Sequence, residues 1–309
     1  MDDDWGTAYN GKTSYYLGGE LLLLNYLHLV GITVLYWDHL ITLRKEITLL
    51  WGRGRSLSAY CFFVNRYFAF LTGIPVSVIP FLSPSTERCL RLSLFREMAI
   101  VLTQLITGVV MIIRVYALFG RSRRVLWFMV GTAVCVVGVS VWSVSGQEGS
   151  RTMIEGGCHY GLTESTSYRL AGSWEALFAF DSLIFGLTIY YAYSAQRWRI
   201  RQTNLHALVV RDGAMYFGIM ALANLANIST YYLVGYWPFL PGALATFANC
   251  ISVAMISRLI LNLHEHADAG ILTQPANRDS ILSIDDALMT EMDGDVQNRI
   301  LNHLRSLHS

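Results

Sequence analysis

From residue 213 to residue 257 the chain runs for 45 positions without an Asp, Glu, Lys, Arg or His. Wound into one α-helix, that stretch would be roughly 68 Å long, about twice the depth of a bilayer's hydrocarbon layer. It has to fold back on itself. Residues 235–242 (GYWPFLPG) hold two prolines and two glycines, enough to break a helix and turn the chain. The expected product is a hairpin of two apolar helices, about 214–234 and 240–261.

Five further segments have the same character. A span needs about 20 mostly apolar residues, and the others fall at about 20–43, 57–78, 97–118, 125–146 and 174–193. The expected fold is therefore all-α, a seven-helix transmembrane bundle over residues 19–262. It is preceded by a polar segment, 1–18, and followed by an acidic tail, 263–309. Composition agrees: 53% of residues are hydrophobic and 15% charged, against about 25% charged in an ordinary soluble domain. The tail, with eight acidic and three basic side chains and no long apolar run, reads as mostly disordered.

Basic residues in short loops stay on the cytosolic side. With the N-terminus outside, the cytosolic loops hold eleven (Arg44, Lys45, Arg53, Arg55, Arg121, Arg123, Arg124, Arg197, Arg199, Arg201, Arg211). The outer segments then hold six (Lys12, Arg88, Arg91, Arg96, Arg151, Arg169). The imbalance favours an outer N-terminus and a cytosolic C-terminus; the membrane expected is the plasma membrane rather than an endomembrane. Cys89 and Cys158 fall in outer segments, where an oxidising compartment is expected to pair them. Cys61, Cys135 and Cys250 lie within helices and read as small packing residues.

An ionisable side chain in hydrocarbon costs about 2.5–3.5 kcal/mol on insertion scales, so it turns inward and finds a partner. Asp38, Arg66 and Arg114 fall at comparable depths near the cytosolic end, and the expectation is that they cluster, with Arg258 close enough to the surface to snorkel. Such a cluster either pins helices together or acts as a lock on the cytosolic face. Asp181 falls near the middle of the fifth helix, with no arginine or lysine at its depth. Asn224, Asn227 and Asn249 are the polar residues placed to satisfy it, which makes these four a candidate ligand or coupling site. A protonated acid serving only packing is the alternative.

Several chemistries are argued against. Neither lysine (Lys12, Lys45) falls within an expected apolar span, so a retinal Schiff base is not expected. The histidines are scattered, giving no metal-ligand set, and no Ser/His pair or phosphate-binding glycine loop occurs. Neither an enzyme, a resident cofactor nor a nucleic-acid partner is expected. The expected partners are the lipid bilayer, a small ligand at the outer face and a cytosolic signalling protein. Ser280 and Ser283 in the tail are candidate phosphorylation sites, read more simply as solvated serines.

The block Tyr36-Trp-Asp-His-Leu-Ile-Thr-Leu-Arg-Lys-Glu-Ile47, with Trp51 and Asn65-Arg66-Tyr67, resembles a domain of unknown function. That domain is widespread in multi-pass membrane proteins of basidiomycete fungi. Arg114-Val-Tyr-Ala-Leu-Phe-Gly, the stretch starting Phe180-Asp181 and Ser257-Arg-Leu-Ile-Leu-Asn-Leu-His264 extend the resemblance. It implies the topology and polar positions above, and no activity. A partial likeness to G-protein-coupled receptors rests on helix number, on Cys89 atop the third helix and on Arg114 near its inner end. The chain departs from that pattern in three places. Ile113 stands where an acid would be, the sixth helix lacks Cys-Trp-x-Pro, and the seventh lacks Asn-Pro-x-x-Tyr. Receptor-like signalling is the leading reading; a membrane scaffold, or a transporter coupled through Asp181, are the alternatives.

Overall fold

The computed structural model of the chain describes residues 12–52, 57–78, 86–145, 164–197, 204–233, 237 and 240–273. Among them are seven α-helices and no strand. They are α1 (Lys12–Glu46), α2 (Leu57–Val78), α3 (Thr86–Leu118), α4 (Arg123–Val144), α5 (Glu164–Arg197), α6 (Asn204–Tyr231) and α7 (Ala245–Thr273). A single π-helical turn, Ile47–Trp51, carries α1 beyond Glu46. Six of the seven are long and apolar enough to cross a membrane. The exception is α6, whose hydropathy is lowered by Asn224, Asn227, Ser229 and Thr230; Asn224, Asn227 and Thr230 are buried in the bundle.

The helices form a closed ring in chain order, each touching the next, with α7 returning to α1. α7 also reaches α2 and α3, and its span is the most buried of the six, whereas that of α4 is the least. The α1–α7 approach depends on Gly31, where an added Cβ would stand 2.8 Å from the Phe247 Cα. At the turn into α7, Gly242 has φ +73° and donates its N–H to Thr230 Oγ1 at 3.1 Å. A Cβ there would sit 2.7 Å from the Tyr231 hydroxyl. The outer surface is apolar, with Leu22, Leu29, Leu40, Leu71, Val134 and Leu222 all exposed. Aromatic residues mark its two rims: Trp51, Trp127 and Tyr193 near one end, and Trp142, Tyr168 and Tyr232 near the other. Tyrosine and tryptophan favour such membrane–water interfaces.

Several helices outrun their apolar segments. α3 begins at Thr86 rather than near 97, α5 runs from Glu164 to Arg197 rather than 174–193, and α6 begins at Asn204. Helical hydrogen bonding is cooperative, so a helix once formed continues through polar turns that hydropathy alone would assign to loops. The acidic tail is corrected for the same reason: residues expected to leave the bundle at 263 continue α7 to Thr273. His264 lies 3.3 Å from Ser58 Oγ, and Glu265 makes a half-exposed ion pair with Lys45 Nζ at 2.8 Å. The side chain of Cys89, Cys158 and the remainder of the tail lie outside the described residues. Cys61, Cys135 and Cys250 carry free thiols.

Candidate functional site

Asp38, Thr42 and Glu46 are spaced by four, which places them on one face of α1. All three are buried, as is Arg66 of α2, which lies along this stripe. Its Nη2 donates to the His39 carbonyl at 2.8 Å and to Thr42 Oγ1 at 2.7 Å. Nη1 stands 3.7 Å from Asp38 Oδ2 and Nε 3.0 Å from Glu46 Oε2. The last contact fails the angular test of a hydrogen bond and is an electrostatic contact only. One turn back on α2, the Phe62 ring lies 5.4 Å from the guanidinium carbon. Arg258 of α7 closes the network from the other side, its Nε 2.5 Å from Asp38 Oδ1. The result ties α1, α2 and α7 together at the end of the bundle that carries most of the connecting arginines.

Glu46 is the member that sequence reasoning missed, because its acid falls beyond the apolar segment. The available signal was the 38–42–46 spacing. Local backbone makes it a core residue: the π turn sets residue 51 above residue 46, and the Trp51 indole N–H donates to Glu46 Oε1 at 3.1 Å. The Tyr67 hydroxyl donates to the same oxygen at 2.7 Å. Glu46 thus has three separate partners and no exposure.

Arg114 does not join this network. It was expected there from its depth along α3, but rotation about the helix axis points it elsewhere. It lines a shallow, half-open hollow between the ends of α3, α6 and α7, with Gly213, Tyr216, Leu259, Asn262 and His266. Two hydrogen bonds brace the hollow's wall. Asn262 Nδ2 donates to the Tyr216 hydroxyl at 2.6 Å, and His266 Nδ1 donates to the Asn262 carbonyl, also at 2.6 Å.

Asp181 is 2% exposed and accepts a 2.6 Å hydrogen bond from Asn224 Nδ2 of α6. Asn227 lies three residues on along the same face of α6. Asn224 Oδ1 and both polar atoms of the Asn227 side chain are buried with no protein hydrogen bond. Burying an amide group without a partner costs about 1–3 kcal/mol, so this pair is suited to holding water. Asn249, expected beside Asp181, instead accepts from Gln104 Nε2 of α3 at 3.2 Å. A further polar link, Thr107 Oγ1 to Asn65 Oδ1 at 3.1 Å, joins α3 to α2. A group of three or more metal-ligating side chains is absent among the described residues.

Residues 26–71 match a family of unknown function, DUF6533. The matched stretch contains Asp38, Glu46 and Arg66, and thus the α1–α2 half of the buried network. No curated protein and no solved structure matches the chain. Together with six apolar helices of spanning length, these findings describe a multi-pass membrane protein of unknown function.

Proposed function

We propose that this protein is a seven-span, receptor-like signalling protein with its N-terminus outside the cell and its C-terminus in the cytosol. In this reading α6 is the seventh span, its buried asparagines lowering its hydropathy without exposing polar groups to lipid. Its orientation is supported by the distribution of arginines, and a fungal origin by the resemblance of the 36–67 block; the setting proposed is the plasma membrane. A Cys89–Cys158 bridge would tie the long outer loop over the bundle. The observation that carries the reading is the buried network at the cytosolic end, where Arg66 and Arg258 share Asp38 and join three helices. In this reading the network has two states, paired and parted, and a ligand that favours the parted state changes the face shown to cytosolic partners.

Asp181 fits this scheme as an internal relay between α5 and α6, reached by helix movement, since the carboxyl is buried as it stands. A scaffold would need one state only. The test uses the full chain in nanodiscs with spin labels at Ile47 and Tyr193, both exposed at the basic end. Two distance populations, shifted toward one of them by Arg258→Gln, are expected. A single unshifted population in wild type and variant would leave the scaffold reading in its place.

A further inference from the structure

We propose that the hollow between the ends of α3, α6 and α7 binds the phosphate group of an anionic lipid, with Arg114 as its counter-charge. Arginines inside a membrane bundle are normally paired, because an isolated charge there is strongly disfavoured. Arg66 and Arg258 follow that rule. Arg114 has no ion pair or hydrogen bond among the described residues, yet it lines a hollow rather than packed protein.

The setting suits a headgroup oxygen. Arg114 lies four residues before Leu118 at the end of α3, about 6 Å along the axis, so its long side chain is within reach of an interfacial headgroup. Gly213 leaves one wall without a side chain, and the hollow admits about one water-sized atom. A single phosphate oxygen fits, with the rest of the group in the open mouth. His266 has Nδ1 bound to the Asn262 carbonyl, which orients its ring in the wall. Leu259 and Leu263 supply an apolar side. Arg121, Arg123 and Arg124 follow immediately after α3, and basic surfaces of this kind concentrate anionic lipid.

The inference does not depend on the signalling reading. Its test is a titration of the full-length protein, in neutral detergent, with dioctanoyl phosphatidic acid, dioctanoyl phosphatidylcholine or inorganic phosphate, followed by native mass spectrometry. Saturable binding of phosphatidic acid is expected, retained in Arg114→Lys and weakened about tenfold or more in Arg114→Gln by loss of a charge-assisted contact. Equal binding by wild type and Arg114→Gln would overturn the proposal. Full competition by inorganic phosphate at equal concentration would overturn the lipid assignment. Asp212 adjoins Gly213 in sequence; binding absent from wild type but present in Asp212→Asn would assign the counter-charge to that acid and refute the site. Should Arg114→Gln fail to fold, a photoactivatable phosphatidic acid decides on wild type alone. Crosslinks within 213–216 or 259–266 support the site, and crosslinks confined to other peptides refute it.

Discussion

Replacing Arg66 by methionine keeps the volume and apolar stem of the side chain while removing a guanidinium that is 2% exposed. The change strips Thr42 and the His39 carbonyl of a donor and leaves Glu46 without its cation. Breaking one half of a buried ion pair costs about 3–5 kcal/mol. Two features move the expected value to the lower end of that range. Asp38 keeps Arg258, and Glu46 keeps the Tyr67 and Trp51 donors. In addition, unfolded helices in a membrane or micelle find alternative partners for their polar groups. About 3 kcal/mol is expected for Arg66→Met. For Glu46→Gln, which retains the shape and an acceptor, about 2 kcal/mol is expected from loss of charge-assisted contacts. Because the two side chains meet directly, the double variant should cost little more than Arg66→Met alone, a coupling of about 2 kcal/mol. Equilibrium unfolding of the full chain in mixed anionic and neutral detergent, followed by tryptophan fluorescence, supplies all four corners of the cycle. A loss below about 1 kcal/mol for Arg66→Met, or simple additivity of the two single changes, would refute the network as a joint between helices.

Gly31→Ala places a methyl against the Phe247 backbone, and overpacking of this kind costs about 1–3 kcal/mol. The same substitution at Gly131, where nothing lies within 4 Å, is the control and should not destabilise the fold in the same detergent titration. Asp181→Asn retains an acceptor for the Asn224 Nδ2 donor and should change stability by less than about 1 kcal/mol. Under the signalling reading it nevertheless shifts the two distance populations at the basic end. Wild-type distance distributions in that variant would remove Asp181 from any relay.

Six of the seven helices were legible because lipid-facing segments must be long, apolar and nearly free of ions, a demand that registers in any window of sequence. The break between α6 and α7 was announced by the prolines and glycines of the sequence between them. Helix ends were less legible: α5 and α7 continue through polar turns that lose hydropathy without losing helical hydrogen bonds. The site was legible in depth but not in azimuth. The sequence puts Asp38, Arg66 and Arg114 at comparable depths, yet depth along an axis says nothing about which way a helix is rotated. Arg114 faces α6 and α7, and Arg258 occupies the place expected for it beside Asp38. Glu46 was hidden by the π turn, a backbone form with no dependable sequence signature, which wraps Trp51 over an acid that otherwise reads as solvated.

α7 touches α1, α2, α3 and α6 along its length and runs without a break to Thr273. The chain that follows is therefore fastened to an inner column of the bundle rather than to a peripheral one. A pull or a twist applied to α7 bears on four neighbours at once, with the Arg258–Asp38 pair and the tight seam at Gly31 holding it to α1. Mechanically, α7 is the handle on the core.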